Sequence, residues 1–205
     1  MASARLRPFA IEVTATKRRA VGDNGWSMTD PNVQVLIPSE RIQARIRELG
    51  EQISADYPGG DLHFVCILKG ACFFMTDLAR AMNRDVAIDF MGISTYGKGK
   101  TTSGEVKVTK DLDISLEGAD VLIVEDIVDS GVTLNYLVHL LQQRKPKSIR
   151  IAALLDKPER RLRPVEVSYV GFVIPDRFVV GYGLDYAEHY RNLDAVCVLD
   201  DGPVA

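Results

Sequence analysis

From Pro38 onward the chain alternates between two hydrophobic periods. In SERIQARIRELGEQISADY, apolar Ile42, Ile46, Leu49 and Ile53 recur at helical spacing with charges between them, and Ser39 stands where an N-cap would. PGGD then ends the pattern. LHFVCIL predicts a strand, and KGACFFMTDLARAM a turn followed by a helix. VAIDFMGIS is a second strand candidate. STYGKGKTTSGEVK is a polar loop, after which VKVTKDLD and a turn at Glu117 and Gly118 lead into another strand, VLIV. The helix that follows, LNYLVHLLQQR, sets Leu134, Leu137, Val138 and Leu141 on one face. SIRIAALL, VSYVGFVIP and DAVCVLD are further β-branched apolar runs.

Strands apolar on both faces, alternating with amphipathic helices, predict an α/β fold with a mostly parallel sheet flanked by helices. Ligands of such sheets sit at the carboxyl ends of the strands. With no internal repeat and no second core, one domain over residues 33–205 is the economical division. Residues 1–32 mix basic residues, Gly and Asp without a period, which predicts a poorly ordered leader. Arg18 and Arg19 precede AVGDNGW, where an export signal needs an apolar segment; Arg-rich starts also occur in organelle transit sequences, so a targeting peptide is the alternative.

A chain of 205 residues, 46% hydrophobic, can bury one substantial core. Its formal net charge of −3 supplies no positive field for a nucleic-acid backbone. The apolar stretches are strand-sized, short of a bilayer span, so a soluble, cytoplasmic protein with no nucleic-acid or membrane partner is expected. Cys66, Cys72 and Cys197 form no CxxC pair, and the reading is buried, reduced thiols.

The chemistry concentrates in VLIVEDIVDSGVTL. Glu125, Asp126 and Asp129 follow an apolar strand, and Asp129-Ser130-Gly131-Val132-Thr133 places small and hydroxyl residues at the mouth of a helix. Free amides and the helix dipole there favour a phosphate. No GK[ST] follows, so this is not a Walker A loop. Carboxylates repel phosphate but accept hydrogen bonds from hydroxyls and recruit Mg²⁺. A phosphorylated ribose with a magnesium-bound polyphosphate would use every group. Helix capping by Asp129 or Ser130 accounts for one acid, not three. A phosphoacceptor aspartate would need an acidic cluster on another strand, and none is well placed.

VLIVEDIVDSGVTL resembles the phosphoribosyl-diphosphate signature of the type I phosphoribosyltransferases. CILKG, DFMGISTYGKGKTTSGEVKVTKDLD and VGFVIPDRFVVGYGLDYAEHYRNL are similar to the hypoxanthine-guanine branch of that family, and the resemblance runs from about Val35 to Cys197. It implies the family's central, mostly parallel sheet with a small hood and a mobile lid loop. It also implies transfer of a 5-phosphoribosyl group from phosphoribosyl diphosphate to hypoxanthine or guanine, with Mg²⁺ as cofactor, in a homodimer or homotetramer.

By the same resemblance, Glu125 and Asp126 hold the ribose hydroxyls and Asp129 stands near purine N7 as general base or proton relay. Ser130, Gly131, Val132 and Thr133 form the 5-phosphate loop; relatives often have Lys where Val132 stands, a minor departure for a loop that binds through its backbone. Leu68, Lys69 and Gly70 match the pyrophosphate loop, which has a non-proline cis peptide between its first two residues. Lys157 matches the donor to the purine 6-oxo group, Phe178 the aromatic that stacks on the base, and Val179 the backbone that reads its edge. Asp185 matches a metal ligand beside Glu125 and Asp126, and Arg191 a pyrophosphate contact. Thr95 and Tyr96 match the lid's Ser-Tyr pair, and Tyr96→Ala is expected to cut turnover and spare the fold.

Without the resemblance, Lys69 reads as a solvated strand-end lysine, Lys157 as a surface lysine and Phe178-Val179 as core. His63, His139 and His189 match no catalytic position. The rival class is a nucleotide-binding regulator on the same fold; the nearer rival is a xanthine-preferring relative.

Overall fold

Alternation along three central strands builds the protein around a single sheet. The computed structural model describes residues 9–10, 33–95 and 106–199. In chain order the elements are β1 (Phe9–Ala10), β2 (Val33–Ile37), α1 (Ser39–Asp56), β3 (Leu62–Leu68), α2 (Cys72–Arg80), β4 (Ala87–Thr95), β5 (Val106–Lys110) and β6 (Asp120–Val128). Then come α3 (Val132–Gln142), β7 (Ser148–Asp156), a 3₁₀ turn (Pro158–Arg160), β8 (Tyr169–Val173), β9 (Val179–Val180) and β10 (Val196–Leu199).

Among the described residues the main sheet has the order β1-β8-β7-β6-β3-β4-β5, parallel throughout except for the antiparallel β4–β5 pair. Side chains of a strand alternate between faces. Phe64 and Cys66, Leu122 and Val124, and Ala152 and Leu154 therefore face α1 and α2, where Ile42, Ile46, Leu49, Ile53, Phe74 and Leu78 complete one core. Val65, Ile67, Val121, Ile123, Ile151 and Ala153 face the other way and meet Leu134, Leu137 and Leu141 of α3. A second, antiparallel sheet of order β2-β10-β9 forms the small hood.

Three expectations are corrected. Helix α1 is capped by Pro38 rather than Ser39, which is already helical, and the cap makes no side-chain hydrogen bond. The strand expected to end at Val124 runs on to Val128, because parallel pairing with β7 continues through Glu125↔Ala153 to Val128↔Asp156. Lys157, a surface lysine on sequence pattern alone, is 6% exposed. Within the expected leader, Phe9–Ala10 pairs in parallel with β8; the rest of residues 1–32 and the lid from Tyr96 to Glu105 lie outside the described residues.

The three cysteines are free. Cys66 lies 3.9 Å from Cys72, sulfur to sulfur, and burial followed by the neighbouring Cys72 raises its thiol well above the ordinary range. Burial pushes the Cys197 thiol up to about 11. His63 is partly buried, and His139 and His189 are exposed.

Candidate functional site

Strands β3, β6 and β7 end at the same side of the sheet, and the segments leaving them come together there. β3 passes through a cis peptide between Leu68 and Lys69 into Gly70. A Cβ at Gly70 would fall 1.7 Å from Oδ2 of Asp126, and one at Gly183, where φ is +100°, would fall 2.1 Å from the Gly70 carbonyl oxygen. Only glycine lets the Lys69-Gly70 turn, the Asp126 carboxylate and the Gly183 turn meet this closely.

Glu125 and Asp126 are half-buried near the carboxyl end of β6. Burial, and then the charge of Asp126, raises the Glu125 carboxyl well above its usual range. Burial likewise raises Asp126 to about 6, against the pull of the Ile127 amide, its own amide and Arg191; Asp185 adds to the rise. Such a pair is stabilised by an arriving cation or by hydroxyl donors. Among the described residues no three His, Cys, Asp or Glu side chains form a ready-made metal cage. Mg²⁺ is bound by carboxylates together with water and ligand phosphate oxygens, and the raised Glu125 and Asp126 carboxyls are donors of that kind.

Beyond Val128 the chain turns through Asp129, Ser130 and Gly131. Gly131 has φ 77° and is the N-cap of α3, a left-handed conformation that glycine adopts freely. The amide of Asn135 makes the bond back to the Gly131 carbonyl at 2.9 Å. The amides of Val132, Thr133 and Leu134 precede it, and Val132 has only a 3.4 Å contact to Ser130 Oγ. They are placed to receive an anion.

The segment after β7 holds this loop. The amides of Leu162 and Arg163 donate to the Ser130 carbonyl at 2.9 and 3.0 Å. Arg161 donates from Nη1 to the Asp129 carbonyl at 2.6 Å and pairs through Nη2 with Asp156. Arg160 brings Nε within 2.7 Å of Asp129 Oδ1, though that oxygen, enclosed by protein, has no aligned hydrogen bond.

At the start of the same segment, Lys157 donates from Nζ to the Arg177 carbonyl at 2.6 Å and lies 3.5 Å from Asp176 Oδ1. Phe178 is half-buried and meets Tyr186 edge to face, with centroids 5.7 Å apart. Val179 is buried in β9 and pairs with Val198. Asp185 Oδ1 is 2.8 Å from Arg191 Nη2, and Arg191 Nη1 donates to the Gly183 carbonyl at 2.8 Å. Lys69, an exposed side chain, reaches Glu188 at 3.0 Å. Thr95 ends β4 opposite Val106, and Tyr96 lies outside the described residues.

Of the expected site residues, Leu68, Lys69 and Gly70, Glu125 and Asp126, Asp129, Ser130, Gly131, Val132 and Thr133, and Asp185 and Arg191 thus share the carboxyl end of the sheet. Sequence pattern missed Arg160, Arg161, Asp176 and Glu188, each of which has a partner distant in the chain: Asp129 for Arg160 and Arg161, Lys157 for Asp176 and Lys69 for Glu188; the Arg-Arg pair after Lys157-Pro158 was the one local hint. A groove of ≈ 1060 Å³ by Lys147, Ser148 and Arg150 lies at the amino ends of the strands, and none of the expected site residues lines it.

The fold and this geometry define an α/β protein with a glycine-capped helix mouth and paired carboxylates at its strand ends. A family model, the phosphoribosyl transferase domain, matches residues 37–187. The hypoxanthine-guanine phosphoribosyltransferase of Bacillus subtilis is 51% identical over 81% of this chain and 92% of its own. The bifunctional protein TilS/HprT of Listeria innocua is 52% identical over 88% of this chain. The chain spans 28% of the length of that Listeria protein. The crystal structure of a hypoxanthine phosphoribosyltransferase from Staphylococcus aureus, 50% identical, superposes with a TM-score of 0.78 over 80% of this chain and 90% of that one. The chain belongs to the phosphoribosyl transferase family.

Proposed function

We propose that the chain transfers the 5-phosphoribosyl group of phosphoribosyl diphosphate to hypoxanthine or guanine, giving IMP or GMP and pyrophosphate. The observation that carries this reading is the meeting of the Lys69-Gly70 turn, the Asp126 carboxylate and the open amides of α3 at one end of the sheet. Three chemistries are needed within one small molecule's reach, and these segments supply them: cations for pyrophosphate, carboxylates for a ribose diol and amides for a phosphate.

In this reading the 5-phosphate sits on the amides from Ser130 to Thr133, and Glu125 and Asp126 accept hydrogen bonds from the ribose hydroxyls. Lys69 and Arg191 take the pyrophosphate. A purine ring nitrogen attacks C1 with inversion as the bond from C1 to pyrophosphate oxygen breaks. Asp129 accepts or relays the proton that the base loses. Mg²⁺ would be held by Asp126, Glu125 and Asp185 with the ligand's own oxygens, and would neutralise charge gathering on the leaving group.

Lys157 has only donors to offer, which suits a 6-oxo group and rejects a 6-amino group. Phe178 stacks on the base and the Val179 backbone reads its edge. In this reading Thr95 and Tyr96 would serve to keep water from the reacting centre. Assembly as a homodimer or homotetramer belongs to the same reading and is read by sedimentation. Among the described residues no helix is long and apolar enough to cross a membrane.

Initial rates with phosphoribosyl diphosphate and Mg²⁺ against hypoxanthine, guanine, xanthine and adenine test the proposal. Turnover is expected with the first two bases. Preference for xanthine would move the substrate assignment, and nucleotide binding without turnover on any base would favour a regulator.

A further inference from the structure

The two cations assigned to pyrophosphate share a protein carboxylate. Glu188 Oε2 accepts a hydrogen bond from Lys69 Nζ at 3.0 Å and lies 3.4 Å from Arg191 Nη2. The hydrogen bond from Lys69, then the Lys69 charge and, more weakly, Arg191 hold its carboxyl below the usual range. Lys69 stands on the turn after β3 and Arg191 on the segment before β10, so one acid joins two cations separated by more than half the chain.

The backbone aims that acid. Tyr186 and His189 exchange amide-to-carbonyl bonds at 3.2 and 3.0 Å across a tight turn. Its two central residues, Ala187 and Glu188, have φ of 50° and 68°. Two successive non-glycine residues in the left-handed region are disfavoured, and such a turn persists where its surroundings hold it. Here the Asp185 carboxylate accepts the Glu188 amide at 2.9 Å. The Glu188 side chain is exposed, as are Ala187 and His189; the turn's packing contact runs through Tyr186, which meets Phe178 edge to face, so Glu188 itself has no packing role.

We propose that Glu188 is a positioning residue of the pyrophosphate subsite, an internal counter-anion that occupies Lys69 and shares Arg191 with Asp185, the nearer partner at 2.8 Å, when the subsite is empty. It is displaced as the diphosphate group enters and pairs with them again as pyrophosphate leaves. The inference rests on the phosphoribosyltransferase reading above, because it needs Lys69 and Arg191 to be pyrophosphate ligands. A carboxylate and a phosphate oxygen compete for the same donors, and this carboxylate is tethered where the competition is local. Its effect is confined to the pyrophosphate end: purine affinity is untouched.

Glu188→Gln keeps the side-chain shape and removes the charge. Calorimetric titration of the intact protein with inorganic pyrophosphate and Mg²⁺ is expected to give binding about two- to five-fold tighter in the variant. Product inhibition by pyrophosphate strengthens and KM for phosphoribosyl diphosphate falls by a similar factor, while KM for hypoxanthine stays constant. In a Lys69→Gln background the same substitution has less than about half that effect, because the coupled partner is gone.

Weaker or unchanged pyrophosphate binding in Glu188→Gln would overturn the proposal, the weaker case showing that the acid orders the cations rather than competing for them. Equal tightening with and without Lys69 would overturn it too, reducing the effect to general charge. A wild-type protein that neither binds pyrophosphate nor turns over would instead sink the functional reading itself, which separates the two failures.

Discussion

Arg160 places its Nε 2.7 Å from Asp129 Oδ1 while its Nη1 lies 3.3 Å from Asp176 Oδ2, and Lys157 Nζ lies 3.5 Å from the other oxygen of Asp176. Charges of alternating sign therefore run from the acid proposed to take a proton to the lysine proposed to read the purine oxygen. The 3₁₀ turn Pro158–Arg160 makes this geometry, since it folds the chain back directly after Lys157. Both ends of the row stand on segments leaving the carboxyl ends of β6 and β7.

The Asp129 and Arg160 side chains are 43% and 30% exposed, so their ion pair contributes at most about 1 kcal/mol to stability. Asp129→Asn is expected to leave the urea midpoint nearly unchanged while lowering kcat roughly 10²–10⁴-fold, the loss typical of a missing proton acceptor. Paired unfolding curves and initial rates check it. A stability loss large enough to account for the lost activity would make Asp129 a structural residue.

At Gly70 a single methyl group would collide with Asp126 Oδ2. Gly70→Ala must push the carboxylate or the turn aside by an ångström or more, and misplacement of that size costs roughly 10²-fold in kcat/KM. The loss is expected in kcat/KM for phosphoribosyl diphosphate, with circular dichroism unchanged. Wild-type kinetics in this variant would mean that the contact between the turn and Asp126 has no part in the chemistry.

Much of this was legible from periodicity, and what was not has a physical cause. Ile42, Ile46, Leu49 and Ile53 marked α1, and all four are buried. The apolar run from Val121 to Val124 marked the buried part of β6 but not the end of its hydrogen-bond ladder. Backbone pairing with β7 carries the strand through Glu125 and Asp126 whatever their side chains prefer. Lys157 could not be read as buried from neighbours such as Pro158, Glu159 and Arg160, because the groups that meet its ammonium are Asp176 and the Arg177 carbonyl, about twenty residues on. Glu188 was invisible for the same reason: its meaning lies in Lys69, 119 residues away.

The start of β4 is anchored by a carboxylate with no place in the proposed chemistry. Asp89, 4% exposed, accepts amides of Phe90 at 2.7 Å and of Asp113 and Ile114 at 2.6 and 3.1 Å. Burial alone would raise its carboxyl, but the amides of Phe90, Ile114 and Asp113, helped by Lys110, outweigh it and hold it below the usual range. A depressed folded-state value means that the unfolded chain binds more protons between the two values, so stability rises with pH across that window. Asp89→Asn is expected to lose about 1–3 kcal/mol at pH 7. The gap between wild type and variant should persist down to about pH 4 and close as pH falls further, through the folded value. Urea unfolding from pH 7 to pH 3 measures it; a gap that widened on acidification would give the wrong sign and refute the assignment.

Lys157 separates recognition from architecture, because its ammonium has a present partner in the Arg177 carbonyl and a proposed one in the purine. Lys157→Met preserves the buried aliphatic stem and removes every donor. If the ammonium serves the base, kcat/KM for hypoxanthine should fall roughly 10²-fold, the cost of leaving a buried polar group without its charged partner. Adenine should lose less, narrowing the ratio between the two bases, and KM for phosphoribosyl diphosphate should change by less than about two-fold. If the ammonium mainly ties down the segment carrying Asp176, Arg177 and Phe178, hypoxanthine and adenine will lose in equal measure and the thermal midpoint will drop with them. The ratio of the two bases decides the matter, because loosening that wall weakens every purine alike, whereas removing a donor penalises only the ring that offers an acceptor at its 6-position.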